Sequence, residues 1–234
     1  GGAGADLLVG GSGDDTLEGE AGADVLTGDD GDDKLVGGRG LDLASYRLDY
    51  DDNGTGTSHT TPVTVDLAAG TATDFGTDTL FTINGAVGGG GDDVLLGDAG
   101  ANLFRTVPGG TDSVDGRDGR DTVEPLGLRA MVVDLRLGTV IGTVVDTSVT
   151  DAGTYVVKLA SIQNALGAAQ SDDTLRGDGL ANRLKGRGGA DVIKGRRGND
   201  ALYGGLGKDL IKGGSGSDLC RSPRTGARAI SCER

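Results

Sequence analysis

The sequence predicts an all-β solenoid of short stacked strands, and three observations predict it. A nine-residue unit recurs through more than half of the 234 residues. Each unit joins a Gly-rich stretch to a three-residue segment with one apolar position, the alternation of a strand that buries a single side chain. No stretch carries the 3.6-residue apolar period of an amphipathic helix. Large core residues are also scarce, with 4 Tyr, 3 Phe, 1 Met and no Trp, so something regular must replace the usual thick core.

Composition narrows the class further. Gly accounts for 47 residues, roughly threefold the average share of about 7%. Collagen is excluded, because Gly does not recur at every third residue and there are only 4 Pro. Asp outnumbers Glu by 32 to 4, which solubility alone does not require. A short carboxylate is favoured where it must reach backbone or an ion inside a tight turn. The formal net charge of −14 argues against nucleic acid as a partner, because phosphate is repelled. No apolar run approaches the ~20 residues of a membrane helix, so no transmembrane segment is expected. The chain opens at Gly1 without Met or a leader, the pattern of a mature product or an excised piece.

The repeat register is explicit. The first block reads GGAGADLLV, GGSGDDTLE, GEAGADVLT, GDDGDDKLV and GGRGLDLAS over 1–45. A second reads GGGGDDVLL and GDAGANLFR over 88–105 and, after the inserted Thr106, VPGGTDSVD and GRDGRDTVE over 107–124. The third runs AAQSDDTLR, GDGLANRLK, GRGGADVIK, GRRGNDALY, GGLGKDLIK and GGSGSDLCR over 168–221. Position 4 is Gly in thirteen of these fifteen units, and position 6 is Asp in all but two, Asn102 and Asn182. Overall frequency would place Asp there about twice, so composition does not explain the pattern. Position 8 is Leu, Ile, Val or Phe except at Ala44 and Cys220.

These residues resemble the RTX family, whose nonapeptide is GGxGxDxUx with U a large apolar residue. The resemblance covers the three blocks closely and the intervening segments loosely. It implies a right-handed parallel β-roll or β-helix, each unit a six-residue loop and a three-residue strand, with calcium ions between the loops. Repeat blocks are expected at 1–45, 88–124 and 168–221, strand-rich connectors at 46–87 and 125–167, and a closing tail at 222–234. Carried over residue by residue, the motif implies metal positions at Gly2, Gly4, Asp6, Gly11, Gly13, Asp15, Gly22, Asp24, Gly31, Asp33, Gly38, Gly40 and Asp42 in the first block. In the second they are Gly89, Gly91, Asp93, Asn102, Asp112, Gly119 and Asp121. In the third they are Asp173, Asn182, Gly189, Asp191, Gly198, Asp200, Gly205, Gly207, Asp209, Gly214, Gly216 and Asp218.

Elementary chemistry supports a cation independently. Gly at positions 1, 2 and 4 lets the loop turn sharply and aims carbonyls at a shared centre. Two units complete one coil, so each residue stacks on the one eighteen further along, at roughly 4.8 Å strand spacing. Asp6, Asp24 and Asp42 then line one edge, and Asp15 and Asp33 the other. Unit charges ~5 Å apart repel by ~0.8 kcal/mol even in water, and more in a dry loop. A divalent cation between successive loops removes that repulsion. The donors are hard oxygens, which selects Ca²⁺ over zinc or copper, while Mg²⁺ demands compact octahedral geometry and keeps its waters. About three ions are expected in the first block and up to about four in the third. Thr106 and Val107-Pro108 disturb the second block. Asn102 and Asn182 offer an amide oxygen without the charge, which weakens those sites.

The connectors resemble each other. PVTVDLAAGTA (62–72) parallels AMVVDLRLGTV (130–140), and each leads to an Ile83-Asn84 or Ile162-Gln163 pair. Downstream, GDDVLLGDAGANLF (91–104) matches SDDTLRGDGLANRL (171–184), so the chain reads as a duplicated module. Val63, Val65 and Leu67, like Val133, Leu135 and Leu137, alternate as half-buried strands do. The connectors are expected to extend the solenoid as wider, ion-free coils with protruding loops such as Tyr50 to Thr61. At 42 residues for the first, a connector could scarcely build a core of its own.

Cys220 occupies position 8 of the last unit. A disulfide to Cys232 would fold the tail over the open end of the roll and implies an oxidising compartment. RTX proteins of the type I secretion route often end in an apolar or acidic signal. This basic end departs from that and favours export by signal peptide. His59, the sole His, lies in the polar run GTGTSHTTP and reads as incidental. No Gly-x-Ser-x-Gly elbow, HExxH or Walker loop occurs, GGGG at 88–91 falls in repeat register, and no Trp is present to bind sugar rings. The chain is therefore not expected to be an enzyme.

Residues 1–87 carry 17 acids against 3 bases, whereas 166–234 carry 8 against 13. Much of that excess falls at outward position 9, in Arg176, Lys194 and Lys212 along one side and Lys185 and Arg221 along the other. Stacked at strand spacing, these form basic ladders, either a solvated face or a contact for an anionic polysaccharide, cell-wall phosphate or cell surface. The sequence thus reads as a secreted, extracellular β-roll that calcium folds, a structural or surface-interaction module. The alternative is the accessory C-terminal module of a larger secreted enzyme or adhesin. Gly1 opening in repeat register favours truncation of something longer, and the disulfide marks a natural C-terminus.

Overall fold

Each unit ends in a strand because its one apolar position is what the Gly-rich loops leave to bury. The computed structural model describes residues 1–50, 56–58, 61–74, 76–144, 154–222, 228–230 and 232. Among the described residues every regular element is a strand and none is a helix. His59 and most of the stretch from Tyr50 to Thr61 lie outside them. Beside that stretch, Leu48–Tyr50 pairs antiparallel with Gly56–Ser58. The chain divides into two compact units, Gly1–Asp121 and Thr122–Arg234.

In the first unit successive strands alternate between two sheets. One carries Gly2–Ala3, Thr16–Gly22 and Lys34–Gly40, and the other Leu7–Ser12, Val25–Asp30 and Leu43–Ser45. All pair in parallel, with Leu7 on Val25, Thr16 on Lys34 and Val25 on Leu43. Two nonapeptides therefore make one coil. Position 8 fills the space between the sheets: Leu26, Leu35 and Ala44 are fully buried, while Leu8 and Leu17 are half-buried. Burying one such Leu contributes about 2 kcal/mol, so a thin core of repeated aliphatics suffices without large aromatics.

The first connector widens one sheet only. Thr64–Asp66, Thr71–Thr73 and Thr77–Phe81 form an antiparallel meander. Its outer strands lie parallel on Lys34–Gly40 and Val94–Leu96. The opposite sheet passes from Leu43–Ser45 to Gly85–Val87 to Leu103–Thr106 without interruption. In the second unit Leu128–Asp134, Thr139–Val144 and Thr154–Ala160 repeat the meander beside Thr174–Arg176. The other sheet runs through Thr122–Pro125, Asn164–Leu166, Arg183–Gly188, Ala201–Leu206 and Leu219–Arg221.

The duplication extends to single atoms. Val63 N–H donates to Asp93 Oδ1 and Met131 N–H to Asp173 Oδ1, both at 3.0 Å. Leu80 and Leu159 donate to the carbonyls of Gly70 and Gly138, both at 2.8 Å.

Two readings of the sequence are corrected. Leu137 does not continue a half-buried strand, because it is 63% exposed. Asp134 Oδ1 accepts the Leu137 N–H at 3.1 Å and closes a turn there. Leu67 lies in the matching turn, where Asp66 Oδ1 accepts the Ala69 N–H at 3.0 Å. The third block also begins one residue earlier than its spelling suggests. Asn164 sits on Arg183, a step of nineteen, and Gly167 rather than Ala168 takes the position-1 place beside Asp173 Oδ2. Thr106 is absorbed in a comparable way, as a fourth residue of Leu103–Thr106, so that Val94 sits on Ser113.

The tail adds a strand. Arg228–Ile230 lies parallel on Leu210–Ser215, with Arg228 on Leu210, again eighteen residues apart. Cys220 and Cys232 are disulfide-bonded with a Cα–Cα distance of 5.9 Å. Closing so short a loop contributes about 3 kcal/mol by restricting the unfolded chain.

Candidate metal centres along the aspartate ladders

Position 6 stands where each loop enters its strand, and its short side chain reaches along the stack. Its Oδ1 accepts the N–H of the position-6 residue one coil earlier. Asp6 donates to Asp24 at 2.9 Å, Asp24 to Asp42 at 3.0 Å and Asp42 to Asn84 at 3.0 Å. On the other edge Asp15 donates to Asp33 at 2.8 Å and Asp33 to Asp78 at 3.1 Å. Asp93 to Asp112 (3.1 Å) and Asn102 to Asp121 (2.9 Å) continue this despite Thr106. In the second unit the links are Asp173 to Asp191 (2.9 Å), Asp191 to Asp209 (3.2 Å), Asn182 to Asp200 (2.9 Å) and Asp200 to Asp218 (3.0 Å). Position 5 builds a second ladder of opposite sense, in which Asp32 donates to Asp14 Oδ1 at 3.0 Å and Ala190 to Asp172 Oδ1 at 2.6 Å.

From the second coil onward Oδ1 is thus engaged, in Asp24, Asp33, Asp42, Asp191, Asp200 and Asp218, whereas Oδ2 is not. Oδ2 of Asp6, Asp15, Asp24, Asp33, Asp42, Asp191, Asp200 and Asp218 is buried and meets no hydrogen-bond donor. These atoms border the space left by the missing side chain of the position-1 Gly. A Cβ on Gly19 would stand 2.5 Å from Asp24 Oδ2 and 2.6 Å from the Gly37 carbonyl oxygen. One on Gly10 would stand 2.8 Å from Asp15 Oδ2 and 2.7 Å from Gly28 O. A carboxylate oxygen of one coil and a carbonyl oxygen of the next therefore flank the same gap.

That arrangement is costly for the chain by itself, since a buried charged oxygen without a donor loses its hydration. Burial pushes the Asp191 carboxyl up to about 7, with Asp173 and Asp209 adding like charge. It pushes Asp200 up to about 6 and raises Asp33 and Asp173. Among the described residues no three carboxylate, imidazole or thiolate side chains converge, so an ion here would complete its shell from backbone carbonyls and water. Ca²⁺ accepts about 6–8 oxygens in flexible geometry, carbonyls included, whereas Mg²⁺ does not. The orphaned carboxylate oxygens and the carbonyls beside them fit calcium.

The glycines divide by role. Positions 2 and 4 adopt left-handed backbone in Gly2, Gly11, Gly38, Gly205 and Gly214, and in Gly4, Gly13, Gly31, Gly40, Gly119, Gly189, Gly198, Gly207 and Gly216. They turn the loop and let coils approach: a Cβ on Gly40 would overlap the Gly22 carbonyl oxygen. The carbonyls that share a gap with Oδ2 belong to position 1, in Gly19, Gly28, Gly37, Gly204 and Gly213, a position whose carbonyls the sequence aims at the shared centre but which the metal positions implied by the motif omit. Asp78 and Asn84 were missed because they lie outside any nonapeptide. Asp78 Oδ2 accepts the buried Tyr46 hydroxyl at 2.8 Å, and burial pushes that carboxyl up to about 6.

Other predicted ligands are engaged elsewhere. Ser222 donates to Asp209 Oδ2 at 2.9 Å. Asp173 accepts Ala168 N–H on Oδ2 at 2.8 Å and Met131 N–H on Oδ1 at 3.0 Å. Asn102 and Asn182 turn Oδ1 to their own loops, accepting from Asp98 and Asp178, both at 2.9 Å. Gly89 and Gly91 lie in the loop leading to Asp93. Of the basic residues, Arg176, Lys194 and Lys212 fall in register on adjacent strands, with Arg176 also 3.7 Å from Asp134. Tyr203 stands between Lys185 and Arg221.

The model of the RTX calcium-binding nonapeptide repeat (4 copies) matches residues 1–35, 9–44, 86–105, 169–200 and 185–220. No curated protein matches the chain. Among the described residues no helix is long and apolar enough to cross a membrane.

Proposed function

The chain belongs to the RTX calcium-binding nonapeptide repeat family, and we propose that it is an extracellular, non-catalytic module whose folding calcium drives. The single observation carrying this reading is the set of eight buried Asp Oδ2 atoms that meet no donor. Those of Asp6, Asp15, Asp24, Asp42, Asp191 and Asp200 share the position-1 gap with a carbonyl oxygen of the next coil, and two electron-rich groups do not close on each other unaided. Calcium, when bound, supplies the positive charge and an adaptable oxygen coordination sphere. The chain's part is to hold those oxygens in place: Oδ1 is pinned by the ladder, and the position-1 Gly leaves the gap open. Sites of extracellular modules bind at about 10⁻⁴–10⁻³ M, weak enough to leave the chain loose at cytosolic calcium and to order it outside. Far-UV circular dichroism during a calcium titration, with magnesium as control, tests this. The β signal should rise at millimolar calcium and not with magnesium; a signal already complete in chelator refutes it.

A second reading rests on the register of Arg176, Lys194 and Lys212. It makes the module a contact for an anionic polysaccharide, as an accessory part of a larger secreted enzyme or adhesin. Replacing all three by Ser should weaken binding to polygalacturonate by about tenfold, at roughly 0.5 kcal/mol per lost exposed contact. Unchanged binding removes that reading.

A further inference from the structure

Position 2 of the nonapeptide takes left-handed backbone, yet in three units it is Arg: Arg117 (φ 60°), Arg187 (φ 77°) and Arg196 (φ 78°). A side chain there is strained and persists only where its surroundings hold it. All three reach the same two kinds of partner, an acid and a position-1 carbonyl. Arg117 clamps Asp66 with both terminal nitrogens at 2.7 Å and donates to Gly97 O at 2.8 Å. Arg196 clamps Asp134 at 2.8 Å through each nitrogen and donates to Gly177 O. Arg187 donates to Glu124 and, at 3.2 Å, to Gly167 O. Each guanidinium thus crosses one coil, touches that coil's position-1 carbonyl and ends on an acid of the coil beyond.

The crossed coils share one further property. They contain Asn102, Asp173 and Asn182, and in each the position-6 side chain is already served by the protein. None of the three contributes to the buried oxygens that meet no donor. Two of them lack the carboxylate altogether. In all three a guanidinium lies on the position-1 carbonyl of the same coil, so fixed positive charge is present where a buried charged oxygen without a donor is absent.

We propose that Arg117, Arg187 and Arg196 are resident cations that take the place of calcium at the rungs of Asn102, Asp173 and Asn182. The roll then has two kinds of coil. Calcium closes those of the first block and those from Asp191 onward, while guanidinium–carboxylate clasps close the coils beside the two meanders whatever the calcium level. Asp66 and Asp134 hold equivalent places in the duplicated segments, so the clasp is part of the duplicated design.

This inference rests on the calcium reading above, and counting bound ions separates the two. Calcium titrations followed by calorimetry would compare the full-length chain with Asn182→Asp and with Asn182→Asp/Arg196→Met. The unaltered chain and Asn182→Asp should bind the same number of ions, because the guanidinium already occupies the rung. The double variant should bind one more. An extra ion in Asn182→Asp alone, or none in a folded double variant, overturns the inference while leaving calcium binding intact. No calcium uptake by the unaltered chain overturns the calcium reading itself. Should the double variant fail to fold, hydrogen exchange of the unaltered chain in chelator decides. Amides of Leu135 and Gly177, bonded beside the clasps, should stay protected while those of Val25 and Leu43 exchange; uniform exchange overturns the proposal.

Discussion

Asp191→Asn is expected to change stability in opposite directions with and without calcium. In chelator the substitution removes a buried carboxylate whose Oδ2 meets no donor and whose carboxyl burial pushes up to about 7. The amide keeps an oxygen for the Asp173 N–H, which now donates to Oδ1 at 2.9 Å. Its NH₂ group can donate to a neighbouring carbonyl, as the Asn182 Nδ2 does to Gln163 O at 3.0 Å. A gain of about 1 kcal/mol follows, the scale of satisfying one buried polar group. In millimolar calcium the same change withdraws a full negative charge from the ion, and the calcium midpoint should rise about tenfold, equivalent to about 1.4 kcal/mol. Urea denaturation in chelator and in calcium reads both signs. Destabilisation in both media would mean that Asp191 acts only through its hydrogen bond, and stabilisation in both would mean that no ion relies on it.

The sign reversal follows from a division of labour between two oxygens of one side chain, and only half of that division could be read in advance. Spacing revealed that Asp stacks on Asp, because a nine-residue period with two units per coil fixes the neighbours. It did not reveal that Oδ1 would be engaged by the preceding coil's amide, since that depends on the loop backbone bringing an N–H toward the next carboxylate. The continuation of the ladders through Asp78 and Asn84 was hidden for a related reason. Both lie in segments without the nonapeptide, and they join the stack only because the meander takes a place in one sheet while the other runs on unbroken. The arginine clasps were hidden too. Asp66 and Arg117 are 51 residues apart, and Asp134 and Arg196 62, distances that a local motif does not span. The apolar rungs, by contrast, were fully legible, because burial at position 8 needs nothing beyond alternation in a short strand.

Gly207→Ala should be among the most damaging single-methyl additions, and Gly179→Ala among the mildest. Both are loop glycines of the third block, so composition does not separate them. Gly207 has φ +136° and packs where a Cβ would overlap the carbonyl oxygen of Gly189, one coil below. Neither problem can be relieved alone. Rotating the backbone out of the left-handed region redirects the loop, and lifting the coil off Gly189 lengthens the Asp191-to-Asp209 bond, already 3.2 Å. Strain of this kind costs about 1–3 kcal/mol for the backbone, with a comparable amount for the displaced packing. Gly179 is exposed, has no left-handed φ and has open space around its absent Cβ. Alanine there should leave stability unchanged or raise it by about 0.4–1 kcal/mol through the unfolded chain. Urea midpoints in saturating calcium would compare the two. Equal, small effects would show that the coils do not depend on carbonyl-to-backbone contact at position 4, and the near-invariance of Gly there would then require another cause.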